Sequence, residues 1–327
     1  MRALFATLSK TIAFLALIAG TPVAAETSYP TSPIKLVVPH AAGAITDTLA
    51  RKIGQPLGDS LGQPIVIENK PGANTIIGTD FVVRAKPDGY TILLATAAGV
   101  AASPAGLTLN VPYDPITGLT PITLVASVTY VVLARKTLEV ETFPDLIAYA
   151  KANPGKLNYG SGNNGGIVYM EMIKKAAAID AVHVRYKSTP PAIIDLLAGH
   201  IDIIVSDLTS SIPLIRDGRI KALAVTSAHR STVLPNLPTL AEAGLPGLPD
   251  LPGWLGIYGP AGMDPAVVAR LNQDINASLR SPDMTQWAHD VGVEIIGSTP
   301  AALETYTKEQ LADWRRLIAE FGLAPEN

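Results

Sequence analysis

The residues best placed to do chemistry are Gly160-Ser161-Gly162-Asn163-Asn164-Gly165-Gly166, which follow a strand-like run, Leu157–Gly160, and open a helical one. Gly160-x-Gly162-x-x-Gly165 formally matches a dinucleotide-binding fingerprint, and Asp180 stands where the ribose-binding acid would be sought. In that motif the acid ends the second strand. Here Asp180 precedes the next apolar run, Ala181–Tyr186, whose end carries Arg185 and Lys187 instead. A nicotinamide site is therefore disfavoured. Flexible glycines before a helix still leave backbone amides free to point at an anion, and a carboxylate serves as well as a phosphate. On that basis Gly165→Val should abolish binding and leave the fold intact.

Pro39–Asp47 is the matching element earlier in the chain. Ala41, Ala42, Gly43 and Ala44 are small enough for backbone to approach a ligand at the end of a first strand. That is where open α/β sheets bind their ligands. Thr46 and Asp47 are placed to cap the following helix or to touch ligand, capping being the commoner role. His40 stands where a ligand could be met. The other histidines, His183, His200, His229 and His289, form no metal-binding spacing with one another. Ser161 sits in Tyr159-Gly160-Ser161-Gly162-Asn163, which is not the Gly-x-Ser-x-Gly elbow of a hydrolase. Asp202 and Asp207 flank a strand, where solvation or capping explains an acid at least as well as ligand contact. No cofactor and no metal are implied.

The elements that would position these loops alternate. Ile34–Val38, Pro64–Glu68 and Tyr90–Ala95 have the length and β-branched content of buried strands. Between them lie a helical pattern with Leu49, Ile53 and Leu57, expected to kink or end at Pro56, and a second helix over Ile76–Ala85. This βαβαβ rhythm predicts a parallel sheet covered by helices on both faces. The rhythm recurs through strands at Thr120–Ala126, Val128–Leu133, Leu157–Gly160, Ala181–Tyr186, Ile201–Val205 and Ala222–Thr226, with helices at Phe143–Asn153 and Pro191–Ala198. Leu234–Gly262 is rich in proline and glycine and reads as a wrap, with Trp254 and Tyr258 as packing anchors. Two tail helices, Pro265–Leu279 and Pro300–Phe321, complete the chain, and two α/β lobes, each with its own sheet, are the economical arrangement.

Composition narrows the function classes. With 327 residues, two domains are expected. The absence of cysteine excludes disulfides, thiolate nucleophiles and Fe–S ligation. With 25 basic and 28 acidic residues there is no electrostatic footprint for nucleic acid. Arg2 and Lys10, the apolar run Thr11–Gly20 and the small residues Val23-Ala24-Ala25 appear in the order of an export signal cleaved after Ala25. The remaining chain holds no unbroken apolar segment long enough to span a bilayer.

Several segments, in order along the chain, resemble one family. They include Tyr29-Pro30, Leu36–Asp47, Val66-Ile67-Glu68-Asn69-Lys70-Pro71-Gly72-Ala73, Pro87-Asp88-Gly89-Tyr90-Thr91, Pro112-Tyr113-Asp114-Pro115 and Tyr149–Ser161. Tyr186-Lys187, Ala222–Thr226, Pro238–Gly244 and Gly259-Pro260-Ala261-Gly262 continue the match. The chain is similar to the substrate-binding proteins of tripartite tricarboxylate transporters, the Bug-type periplasmic receptors. The resemblance implies a type II, Venus-flytrap architecture with a signal peptide over residues 1–25. One lobe would be built from residues 26–126 and 228–327 and the other from 127–227. It implies a periplasmic monomer that closes on a small organic carboxylate and delivers it to membrane transporter subunits.

The ligand-binding positions so implied are His40, Ala42, Gly43, Ala44, Asp47, Thr96, Ala97, Ser161, Asn163, Asn164, Gly165, Gly166, Ser206 and Asp207, with the loop 187–191 facing the same cleft. Relatives usually carry an aromatic at His40, glycine at Ala44, threonine at Gly166 and aspartate at Ser206. These departures favour a plain or aromatic carboxylate over an amino dicarboxylate. The competing functions are a periplasmic hydrolase or nucleotide-dependent enzyme using residues 160–166, and a receptor that signals to a membrane partner.

Overall fold

A computed structural model describes residues 29–186 and 188–323. The expected export signal and its cleavage site lie outside them, as does Lys187. Along the chain run β1 (Ile34–Val38), α1 (Ile45–Leu61), β2 (Ile65–Asn69), α2 (Ile76–Val83), β3 (Thr91–Thr96), α3 (Pro115–Gly118) and β4 (Leu119–Val128). Next come β5 (Tyr130–Arg135), α4 (Phe143–Ala152), β6 (Leu157–Ser161), α5 (Asn164–Ala177), β7 (Ala181–Arg185), α6 (Thr189–Ala198), β8 (Ile203–Asp207), α7 (Leu208–Arg216) and β9 (Ile220–Val225). The chain then forms β10 (Gly253–Pro260), α8 (Pro265–Leu279), α9 (Pro282–Val291), β11 (Val293–Ile295) and α10 (Pro300–Phe321).

The strands make two sheets, ordered β11-β4-β10-β3-β1-β2 and β7-β6-β8-β5-β9. Both are mixed, which corrects the all-parallel expectation. β1 is parallel to β2 and β3, and β6 is parallel to β7 and β8, because helices return the chain between them. β10 runs antiparallel between β3 and β4, while β5 runs antiparallel to β8 and β9. The chain passes from one sheet to the other at Thr129 and returns over Thr226–Pro252.

Period-two alternation assigns each strand's two faces to different cores. Ile34, Leu36 and Val38 of β1 join Ile92 and Leu94 in one apolar cluster with Leu49, Ile53 and Leu57 of α1. Val37 and Leu93 point the other way, into a cluster shared with Val132, Val205, Trp254 and Trp314. Val131, Leu133 and Ile204 bury the outer face of the second sheet with Leu196 and Ile212. With both faces covered, the central strands β3 and β5 are apolar without interruption over Ile92–Ala95 and Val131–Ala134.

Three local expectations are corrected. α1 runs through Pro56 to Leu61 and ends at Gly62 in the left-handed region. Its buried stripe offsets the roughly 3 kcal/mol that an interior proline costs. Thr46 does not cap that helix: Ala44 stands at the cap position without a side-chain bond, and Asp47 accepts a hydrogen bond from the Gly43 amide at 3.0 Å. The tail holds a further helix, α9, and the wrap contains the strand β10, whose Trp254 and Tyr258 are buried as packing anchors.

Candidate functional site

The loops that leave the carboxyl ends of β1, β2 and β3 face those that leave β6 and β7. Between them lies a cavity of about 340 Å³. Pro39, His40 and Ala41 come from the first loop, Pro71, Gly72, Asn74 and Thr75 from the second, and Ala97, Ala98 and Ala102 from the third. The other sheet contributes Gly162–Gly165, Ser188 and Tyr130. Leu251, Pro252, Gly253 and Trp314 complete the wall. Among the described residues no charged side chain lines it.

The first loop is set by a polar bracket. Asp47 Oδ2 accepts from the Gly43 amide and from Arg51 Nε at 3.0 Å each, and Oδ1 accepts from Arg51 Nη2 at 3.1 Å. Asn69 Nδ2 donates to Asp47 Oδ1 and to the His40 carbonyl, both at 3.0 Å. The hydrogen bond from Arg51, supported by the Gly43 amide, pulls the Asp47 carboxyl down to about 2. Gly43 takes φ +84°, a turn that only glycine makes at little cost. Asp47 thus shapes the loop and does not line the cavity, nor do Ala42, Gly43 and Ala44.

The second loop is strained. Gly72 has φ 130°, and Ala73, Asn74 and Thr75 follow at φ 45°, 51° and 75°. Three consecutive non-glycine residues in the left-handed region cost about 1–2 kcal/mol each. The turn is held from behind, where Thr79 Oγ1 donates to the Thr75 carbonyl at 3.0 Å and Gly99 packs against the Thr75 hydroxyl. Thr75 is 6% exposed, yet its Oγ1 has no partner.

The glycine-rich loop owes its composition to crowding. A Cβ on Gly162 would lie 2.1 Å from the Ser188 backbone, one on Gly165 2.3 Å from the Tyr130 ring, and one on Gly166 2.2 Å from the Val205 carbonyl. None of these glycines has a positive φ, so close approach and not flexibility selects them. Asn163 caps α5 by accepting from the Gly166 amide at 2.8 Å. The amides of Asn164 and Gly165, the first two residues of α5, meet no acceptor among the described residues. The Nδ2 group of Asn164 is buried without a partner.

Of the positions expected from sequence, His40, Ala97, Asn163, Asn164 and Gly165 line the cavity together. Thr96 adjoins Ala97 and carries a buried, unpartnered hydroxyl. Ser161 lies in a neighbouring cavity of about 290 Å³ with Arg185 and Tyr186, which shares Asn74 and Gly162–Asn164 with the first. Its hydroxyl meets His183 Nε2 at 2.5 Å, and that imidazole stacks on Tyr159 with centroids 4.5 Å apart. Gly166 sits behind the loop against Val205. Ser206 is fully buried, and Asp207 Oδ1 caps α7 by accepting from the Ser210 amide at 2.9 Å and from the Thr209 and Ser210 hydroxyls. Thr75, Asn74, Tyr130 and Trp314 were not anticipated. The run Pro71-Gly72-Ala73-Asn74 signals a turn, but nothing in it marks the next threonine as buried.

Two mixed sheets joined by crossing strands, with a cavity between the loops at their carboxyl ends, define a solute-binding receptor. A family model, the tripartite tricarboxylate transporter family receptor, matches residues 49–323. The chain is 32% identical over 307 residues to Protein BugT of Bordetella pertussis, covering 93% of each. It is similar to the periplasmic binding protein BugD, with a TM-score of 0.79 at 34% identity over 91% of this chain and 100% of that one. An R. palustris protein solved with adipate gives a TM-score of 0.83 at 33% identity, again over 91% and 100%. MatC from Rhodopseudomonas palustris with bound malate gives 0.77 at 28%, over 89% and 100%. The chain belongs to the tripartite tricarboxylate transporter receptor family. It is a periplasmic solute receptor and not an enzyme, which sets aside both the nucleotide-dependent reading of residues 160–166 and a hydrolytic role for Ser161.

Proposed function

We propose that the chain binds a small organic carboxylate between two lobes, residues 26–126 with 228–327 and residues 127–227, and delivers it to the membrane subunits of a tripartite tricarboxylate transporter. One observation carries this. Thr75 and Asn164 line one cavity, each carries a buried side-chain polar atom without a partner (Thr75 Oγ1 and Asn164 Nδ2) that would cost about 1–3 kcal/mol if left so, and the amides of Asn164 and Gly165 beside them are open. A carboxylate supplies the acceptors they lack, and charge-assisted bonds of this kind are the strong ones. The adipate and malate in the two related structures agree in chemical class.

The walls point to a plain or aromatic acid. Ala97, Ala98, Ala102, Tyr130, Leu251 and Trp314 are apolar or aromatic, and no acidic side chain among the described residues lines the cavity to meet an ammonium group. The mature chain begins at Glu26 on this reading and acts as a monomer.

The test is a thermal-shift screen of the mature chain against organic acids, confirmed by calorimetry. An acid at 100 times its Kd should stabilise by about 2.7 kcal/mol, which raises the melting temperature by several degrees. If no carboxylate shifts the transition and a nucleotide does, the proposal fails. Binding of aspartate that depends on its amine would contradict the plain-acid assignment.

A further inference from the structure

Seven large apolar side chains stand exposed among the described residues, and five of them fall at matching places on the two sheets. The sheets are built alike, with β1, β2, α2, β3 and β10 of the first corresponding to β6, β7, α6, β8 and β5 of the second. In each, an edge strand leads through a helix to the next parallel strand, which an antiparallel strand flanks. Val66 is the second residue of β2 and Val182 the second of β7, and they are 49% and 48% exposed. Phe81 is the sixth residue of α2 and Ile194 the sixth of α6, and both are exposed. Ile77, one turn before Phe81, is exposed as well.

Each valine lies on the face of its strand that the helix covers. Ile65 and Ile67 pack the other way, with the α1 cluster, which leaves Val66 on the α2 side. Val184, two residues past Val182, packs with Ala192 and Leu196 of α6. Lys35, opposite Val66 in the β1–β2 register, and Lys70 stand over the Phe81 ring, 5.4 and 4.1 Å from its centroid. Glu68 pairs with both lysines and Asp80 with Arg84, so these five residues leave one excess positive charge around the ring.

The place of the patches matters as much as their chemistry. β2 and β7 end their sheets on the side away from the strands that lead across, β4 and β10 in the first sheet and β5 and β9 in the second. Rotation about the crossings moves these two edges through the longest arcs, so the separation of the patches follows the closure of the cleft. Paired exposed apolar patches rimmed by charge mark a protein interface.

We propose that the two patches are halves of one docking surface for the membrane subunits of the transporter. The partner presents two apolar ledges, and the ledge that meets Phe81 and Val66 carries a carboxylate for Lys35 and Lys70. A second copy of this chain is a poorer occupant, because a two-fold contact through the first patch would set these lysines against their own copies. The proposal rests on the transporter-receptor function proposed above.

The experiment places the photo-crosslinker p-benzoylphenylalanine at position 81, 194 or 296 of the full chain, in cells whose own copy of the gene is replaced. Ile296 is exposed but follows β11, at the opposite edge of the first sheet, and serves as the control. Melting temperatures confirm that each purified protein is folded. The expected result is an adduct with an integral membrane subunit of the transporter, identified by mass spectrometry, from 81 and from 194 and not from 296. Val182→Ser with Ile194→Ser should weaken the adduct from 81 at least several-fold, although both changes lie on the other sheet. Lys70→Gln should weaken it too. Adducts with a second copy of the chain, equal adducts from 296, or no membrane subunit captured from 81 and 194 would each overturn the docking surface. An adduct from 81 that ignores the changes on the second sheet would overturn its division into two halves. A chain that binds an organic acid in calorimetry yet gives none of these adducts loses the surface alone, whereas one that binds no acid loses the receptor function itself.

Discussion

The main-chain carbonyl of Tyr130 accepts two hydrogen bonds from Thr226, from its amide at 3.0 Å and from its hydroxyl at 3.3 Å. Tyr130 starts β5 just after the chain leaves the first sheet, and Thr226 is where it begins its return. The two crossings are therefore stitched at one point. The Tyr130 ring on the same residue forms part of the cavity wall, packing on Tyr169 with centroids 5.6 Å apart. The cavity wall and the junction between the sheets meet in a single residue, through its ring and its carbonyl.

Thr75→Val keeps the shape of the side chain and removes its unpartnered hydroxyl. Affinity for a carboxylate should fall by about 1–3 kcal/mol, roughly 5- to 150-fold, while the free chain is as stable as before or slightly more so. Calorimetry together with the melting temperature checks both halves. A loss of stability without a loss of affinity would place Thr75 in the scaffold alone.

Gly165 cannot take a Cβ without moving the Tyr130 ring. The expectation that Gly165→Val spares the fold is therefore withdrawn. Even Gly165→Ala should destabilise by about 1–3 kcal/mol and weaken binding with it. Its melting temperature should drop by roughly 2–4 °C for each kcal/mol lost.

Asp47 is held low, at about 2, by Arg51 and the Gly43 amide, against a reference value of 3.8. A depressed carboxyl contributes stability above its unfolded pKa and loses it as pH falls through the folded one. Asp47→Asn should cost at most about 2.5 kcal/mol near neutrality. Its deficit relative to the native chain should shrink from about pH 5 downward and be nearly gone at pH 2. Denaturant midpoints of both proteins across that range measure it, and a deficit independent of pH would refute the bracket.

Asp207 is occupied in capping α7. Asp207→Ala should cost about 0.5–2 kcal/mol of stability and leave carboxylate affinity unchanged at a temperature where both proteins are folded. A selective loss of affinity would return Asp207 to the cleft.

Much of the architecture was legible because both faces of β3 and β5 are buried, so Ile92–Ala95 and Val131–Ala134 are apolar without interruption, and β1 is broken by Lys35 alone. The strand β10 was hidden for the opposite reason. Gly253, Gly256 and Gly259 give Gly253–Pro260 the look of a loop. At Gly256 the space for a Cβ is taken by Tyr258 and Leu303, and at Gly259 by Met263. In the site, the loops at the carboxyl ends of β1 and β6 could be found from small residues after a strand. Thr75 could not, since its importance arises from a left-handed turn and from burial by Gly99, which lies far along the chain. The glycines of residues 162–166 were legible as special, although their reason is contact with Ser188, Tyr130 and Val205.

The order β11-β4-β10-β3-β1-β2 has a temporal side. β3 and β4 are close in sequence but not neighbours, and the slot between them is filled by a strand that emerges only after the whole second sheet. For a chain threaded through a membrane amino end first, β5 to β9 form a contiguous block whose partners are all present once it has emerged. The first sheet must keep two facing edges open until residue 260 has passed. Non-local pairing of this kind is slow and leaves unpaired edges exposed to aggregation. Maturation in the periplasm should accordingly wait for β10 to fill that slot and for β11 and α10 to follow it, and the binding cavity, walled by Leu251–Gly253 and by Trp314 of α10, is completed only then.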